Sequence, residues 1–156
     1  MTHTIPTYTV AGLEYLNDID FESFDNDDAV DLGLIAVEVI KDWELNLAVD
    51  VVLGEDLVFR AKLKSTGPGN DHWLRAKAAT ALQFKEASAL VKERHIEAGT
   101  PFEDREDVDH DALKAYGGSI PLKVAGEVAG TITLSGEDDS VDHEVAAETI
   151  RRFLER

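Results

Sequence analysis

An α+β fold is predicted for this chain: a single domain over residues 1–156, with an antiparallel sheet made of two hairpins and flanked by helices. Three observations predict it. Two stretches alternate apolar and polar residues on either side of a glycine turn, which is the period of a strand that buries one face. Three other stretches repeat apolar residues every three or four positions, as amphipathic helices do. The order is helix, hairpin, long helical segment, hairpin, helix, and strands joined as hairpins give an antiparallel sheet rather than a doubly wound parallel one.

The elements follow in order. Residues 1–18 are weakly patterned and read as an N-terminal arm or short helix anchored by Leu13 and Leu16. Phe21 and Phe24 precede Asp25-Asn26-Asp27-Asp28, an acidic cluster suited to the free N–H groups and positive dipole end of a helix start. The helix that follows runs to about Lys41, with Ala29, Leu32, Ala36, Val39 and Ile40 on one face. Val30, Leu34 and Val37 make its other side apolar too, so it is expected to be covered on two sides. Leu45–Leu53 and Leu57–Leu63 form the first hairpin, turning at Gly54-Glu55-Asp56. One continuous helical stretch is expected from about Asp71 to Ala98, ended by Gly99-Thr100-Pro101. Glu103–Ala115 is polar and reads as a loop with one short helix. Ile120–Val124 and Val128–Leu134 make the second hairpin across Gly126-Glu127, and Asp139 or Ser140 caps a last helix facing inward through Val145, Ala146, Ile150, Phe153 and Leu154.

Composition limits the function. The chain has no cysteine, which excludes disulfides, thiolate chemistry and cysteine-based metal sites. Its 32 acidic residues against 15 basic ones give a formal charge of −17, a field that repels phosphate backbones and anionic lipid. Neither nucleic acid nor membrane is expected as a partner. The N-terminus has no basic and apolar leader pattern, no apolar run is long enough to cross a bilayer, and a cytoplasmic address is the expectation. Asp107-x-Asp109-His110-Asp111 lacks the glycine and terminal glutamate of an EF-hand, so no metal site is expected there.

Recognition chemistry concentrates in Thr66-Gly67-Pro68-Gly69-Asn70-Asp71-His72-Trp73-Leu74-Arg75-Ala76-Lys77, where a turn, a helix start, an indole and two cations follow one another. Asn70 or Asp71 reads as the cap of that helix; in the alternative reading their polar atoms and the helix N-terminus hold an anionic group. Trp73 reads as packing or as a ligand platform. Arg75 and Lys77 are expected either to pair with Asp25, Asp27 or Asp28 or to meet a ligand carboxylate. Gly117-Gly118 serves backbone conformation or cradles an anion. His143, beside Asp142 and Glu144, is a surface or capping residue, a proton carrier or a ligand to an iron centre. No nucleophile elbow, phosphate loop or zinc-protease motif is present, and enzyme status stays open.

Phe24-Asp25 to Gly33, Asn70-Asp71-x-Trp73-x-x-x-Lys77, Gly117-Gly118-Ser119-x-Pro121 and Ser135-Gly136…Asp142-His143, in this order, resemble the uncharacterised GlcG/HbpS-like, or "heme-degrading domain", family over nearly the whole chain from about Ile19. The resemblance implies a profilin-like fold, a homo-oligomer and a small ligand, with heme or another carboxylate-bearing molecule as the implied candidate. The resemblance and the residues' own chemistry together place the candidate site at Asn70, Asp71, Trp73, Arg75, Lys77, Tyr116, Gly117, Gly118, Ser135 and His143. Two departures touch that site: Tyr116 stands where relatives often have histidine, and Ser135-Gly136-Glu137-Asp138 stands where they often read Ser-Gly-Leu-Pro. The other readings are an enzyme acting on a small organic acid, with His143 as base and Arg75 as carboxylate clamp, and a purely structural or protein-interaction module.

Overall fold

The computed structural model describes residues 5–156. A helical turn, α1 (Val10–Leu13), and a 3-10 segment (Glu14–Asp18) lead into α2 (Asn26–Asp42). There follow β1 (Ala48–Leu53), β2 (Asp56–Lys62), α3 (Pro68–Phe84), α4 (Ser88–Glu97), β3 (Ser119–Val124), β4 (Glu127–Ser135) and α5 (Asp139–Glu155). The strands form one antiparallel sheet in the order β2-β1-β4-β3, so the two hairpins meet through β1 and β4. This is the predicted α+β architecture, with helices on both faces.

The two faces of the sheet differ in chemistry. Leu47, Val49, Val51, Ile120, Leu122, Ile132 and Leu134 point to α2 and α5 and form the main core with Leu32, Ile40, Val145 and Ile150. The alternate positions point to α3 and are small or polar: Ala48, Asp50, Ser119, Thr131, Thr133 and Ser135 are all buried. Ala78 and Ala81 on the inner side of α3 let that helix lie close over them. Ser119 and Thr133 share a hydrogen bond at 2.9 Å there and the Ser119 N–H donates to Ser88 Oγ at 3.0 Å, whereas the buried Thr131 hydroxyl has no partner. Leu13 and Leu16 of the arm are buried in the main core.

Several boundaries differ from the sequence reading, each for a local reason. The long central helix is two helices: Lys85 takes a left-handed conformation (φ 58°) and the chain turns before Ser88. Glu86 in that turn is clamped by Arg94, whose Nε and Nη2 both donate to it. The second turn falls at Ala125-Gly126, both with positive φ, which releases Glu127 to start β4. Asp138, not Asp139 or Ser140, caps α5, accepting the Ser140 N–H at 3.1 Å. In the polar stretch after α4 the helical piece is the 3-10 turn Phe102–Asp104, and Phe102, Leu113 and Ala115 form a satellite core with Val91.

Asp25 caps α2 in a reciprocal box with Asp28, as the acidic cluster implied. The inner face of α2 is fully buried, whereas Val30 and Leu34 on the outer side are 38% and 55% exposed. In a single chain, then, the second cover expected for α2 is missing from that side.

Candidate ligand-binding site

Three of the singled-out segments converge at one end of the sheet. The first turns of α3 bring Asn70, Trp73 and Lys77; the residue before the double glycine brings Tyr116; the end of β4 brings Ser135 and Gly136; the start of α5 brings Asp139 and Asp142. With Glu137 they line an open cleft of about 370 Å³. The segment from Phe24 to Gly33 is not part of it, because α2 packs on the opposite face of the sheet.

Gly67, not Asn70 or Asp71, is the N-cap of α3, with Pro68 as its first residue. Asn70 reaches backwards: its Oδ1 accepts the Gly67 N–H at 3.0 Å, and its Nδ2 donates to Ser135 O and Oγ at 3.3 Å each. It therefore ties the helix start to the end of β4. Asp71 turns away and pairs with Lys62 at 2.8 Å and Arg60 at 3.4 Å.

Lys77 is buried at the cleft floor. Its ammonium donates to Leu134 O at 3.0 Å and to Asp142 Oδ2 at 2.8 Å, and Asp142 Oδ1 accepts the Glu137 N–H at 3.0 Å. Its partner is thus Asp142, not the acidic cluster before α2. Burial pushes the Asp142 carboxyl up to about 6 even though the Lys77 charge pulls it down. Asp139 accepts the Gly117 N–H at 2.9 Å and pairs with Lys92 at 3.0 Å.

Trp73 and Tyr116 meet edge to face with ring centroids 5.6 Å apart and form the aromatic wall. Lys114 lies over the indole and Lys92 over the phenol ring. Burial, then the charge of Glu103, keeps the Tyr116 hydroxyl above its ordinary range. The double glycine is a matter of space. A Cβ on Gly117 would lie 2.4 Å from Asp139 O, and one on Gly118 (φ 137°) would lie 2.4 Å from Leu134 O and 2.9 Å from Lys77 Nζ.

Arg75 and His143 lie outside the cleft, so the expected convergence of these two with Trp73 and Gly118 does not occur. Arg75 is exposed on the far side of α3; Lys62 is the main cause that lowers the Asp71 carboxyl, with Arg75 adding to it, while at Asp50 burial raises the carboxyl and Arg60, then Arg75, only partly offset it. His143 is 1% exposed and sits behind Gly117, its ring edge-on to Tyr8 at 4.9 Å. Its Nδ1 has no hydrogen-bond partner. Sequence reasoning gave no role to Asp142 or Glu137 and read Asp139 only as a helix cap; the signal for Asp142 was its place in the Ser135-Gly136…Asp142-His143 motif.

His143 gives a pH prediction. Burial depresses its folded pKa to about 4, against an ordinary value near 6.5. Above pH 6.5 both states are neutral and the contribution is intact. As pH falls from about 6.5 towards 4, the unfolded chain binds a proton that the folded chain refuses, removing roughly 3 kcal/mol of stability. Asp142 acts in the opposite sense: its folded pKa is raised, so the folded state binds a proton first as pH falls through about 6. The two partly cancel in the wild type. The stability difference between wild type and His143→Leu, followed by urea unfolding from pH 7 to pH 4, should fall by about that amount. Parallel curves would mean that the imidazole is not held neutral.

A four-stranded antiparallel sheet with helices on both faces defines a profilin-like α+β fold. The chain belongs to the HbpS-like family, described as haem degrading protein HbpS-like, whose model matches residues 24–151. A UPF0303 protein of Streptomyces coelicolor is 38% identical over 97% of this chain and 98% of its own length. One from Streptomyces avermitilis is 34% identical over 85% of this chain and 82% of its own. Among solved structures, the Ybr137w protein superposes with a TM-score of 0.85 at 23% identity, covering 96% of this chain and 90% of that one. HbpS gives 0.66 at 17% identity, covering 86% and 94%. A PduOC:heme complex gives 0.68 at 19% identity, covering 85% and 94%. At these identities the structures establish the fold alone. No helix among the described residues is long and apolar enough to cross a membrane.

Proposed function

We propose that this protein is a cytoplasmic, oligomeric binding protein whose ligand is a small planar molecule seated against Trp73 and Tyr116. The observation that carries the reading is the pairing of an aromatic wall with a floor of directed polar groups, Asn70, Lys77 and Ser135, in one open cleft. A carboxylate or carbonyl oxygen on the ligand would find the Lys77 ammonium and the Ser135 hydroxyl there.

Heme is the second reading, favoured by the family description and by the heme complex of a structural neighbour. The cleft of one chain does not fit it well. No imidazole lines it and the Tyr116 phenol is held protonated, so the cleft offers the iron neither a histidine nor a phenolate as its axial ligand. Hemin is therefore expected to bind no more tightly than about micromolar. The enzyme reading built on His143 and Arg75 loses both residues from the cleft.

The test is a thermal-shift screen of planar acids and aldehydes beside a hemin titration followed at the Soret band. Small planar compounds should raise the melting temperature of wild type but not of Trp73→Ala or Lys77→Met. Equal responses in all three would favour the structural-module reading.

Self-association through the outer face of α2 accounts for Val30 and Leu34, which a single chain leaves in water. Sedimentation at micromolar concentration should show at least a dimer, and Leu34→Glu should shift it towards monomer without lowering the melting temperature of the monomeric form. A monomeric wild type in physiological salt would remove this part of the proposal.

A further inference from the structure

The Lys77–Asp142 pair is more elaborate than ligand binding requires. Two charges withdrawn from water are expensive, and a pair of apolar side chains would tie α3 to α5 as well or better. What the ion pair adds is reactivity. The amine is fixed at two points, by Leu134 O at 3.0 Å and Asp142 Oδ2 at 2.8 Å, which leaves the third N–H of the ammonium for the cleft that Lys77 lines. Gly118 keeps the space beside it open, since a Cβ there would lie 2.9 Å from Nζ. The Asp142 carboxylate is itself oriented by the Glu137 N–H at 3.0 Å. The carboxylate favours the resting ammonium, and it also places a proton acceptor in contact with the nitrogen that must lose a proton before it can attack a carbonyl carbon.

We propose that Lys77 captures the aldehyde or ketone group of a small planar ligand as a protonated Schiff base, with Asp142 as its proton partner. The inference rests on the cleft assigned above. The chemistry balances without a co-reactant. The Lys77 ammonium passes a proton to Asp142, leaving a neutral amine and a carboxylic acid. The amine nitrogen attacks the carbonyl carbon, and the proton it then carries in excess moves to the former carbonyl oxygen, giving a neutral carbinolamine. The Asp142 acid protonates the hydroxyl as the carbon–oxygen bond breaks, and water leaves. The product is an iminium beside a carboxylate, so the buried pair carries the same charges at the end as at the start. That conservation makes the step feasible in a dry floor, because no unpaired charge is left there at either end. Burial, which draws the Asp142 carboxyl up to about 6, makes it a better proton acceptor than an ordinary aspartate.

The test incubates the full chain near neutral pH with benzaldehyde and sodium cyanoborohydride, which reduces an imine to a stable amine, and maps the adduct by peptide mass spectrometry. A dominant adduct at Lys77, formed ahead of those on the exposed Lys41, Lys64 and Lys85, is expected. Lys77→Arg keeps the charge and the pairing and should abolish the dominant adduct. Asp142→Asn should slow labelling of Lys77 by roughly a hundredfold, the scale of a lost general acid–base partner. Should Asp142→Asn fail to fold, the wild-type map and Lys77→Arg still decide the matter. Adducts spread over exposed lysines with Lys77 unmodified, or labelling of Asp142→Asn at the wild-type rate, would overturn the proposal. Benzoate, which has no carbonyl to condense, provides the separation: if it stabilises the protein through Trp73 while benzaldehyde leaves Lys77 unlabelled, covalent capture fails and the binding site stands.

Discussion

Asp142→Ala is expected to destabilise the protein by about 3–5 kcal/mol, because it leaves the Lys77 ammonium buried with one backbone carbonyl as its remaining partner. Both side chains of the pair are almost fully buried, at 3% and 2% exposure, so water cannot replace what is removed. The loss also frees the Glu137 N–H, which loosens the turn between β4 and α5. Removing both charges together should be far milder. Lys77→Met with Asp142→Leu takes away the desolvation cost along with the attraction, and such replacements are often neutral or stabilising. Chemical denaturation of the three variants measures the contrast. A single variant no worse than the double would mean that the pair is more hydrated than its burial implies.

Gly118→Ala should cost roughly 3 kcal/mol or more, combining a strained backbone with overpacking. With φ at 137° the position lies where residues with a side chain rarely go, and the new Cβ would press on Leu134 O at 2.4 Å. That obstacle is backbone of the central strand β4, which cannot move without disturbing its pairing to β1 and β3. Gly69→Ala is the control, since a Cβ there meets nothing within 4 Å. Set within the first turn of α3, it should be neutral or stabilising by about 0.5–1 kcal/mol. Melting curves of both variants test the comparison. Equal, small effects would show that the segment before β3 shifts to admit a side chain.

How far the sequence could be read depends on how local each interaction is. The alternation at Leu47, Val49 and Val51 and at Ile120, Leu122, Ile132 and Leu134 marks the buried face because strand side chains repeat every two residues. The Asp25–Asp28 box was legible because its partners are three residues apart. The same logic misplaced the cap of α3. Asn70 has the right side chain for a cap, but Pro68 already fits the first helical position, so Gly67 becomes the cap and Asn70 is left to bond backwards and across to Ser135. The break at Lys85 carries no glycine or proline, and Glu86 is held there by Arg94 from the next helix and by Asn17 from the arm. No window of sequence around Lys85 contains Asn17.

By itself, then, the sequence determined the α+β class, the hairpins and the inner face of α2, since each is written in spacings of two to four residues. It also placed the chain beside its family through motifs whose order survives whatever their partners. Tertiary structure alone decided which charges pair and which polar groups are buried. Lys77 could meet any of 32 acidic residues, and it meets Asp142, 65 positions away, because α3 crosses the end of β4 where α5 begins. Arg75, two residues from Lys77, points out to the Asp50–Asp71 cluster because two helical steps turn a side chain by about 200°. His143, read as a surface or ligating imidazole, is sealed behind Gly117 because the double glycine lets that segment close against α5. Coulomb attraction has no sequence period, and burial is a property of three dimensions, so neither is readable from the chain until the helices are set against the sheet.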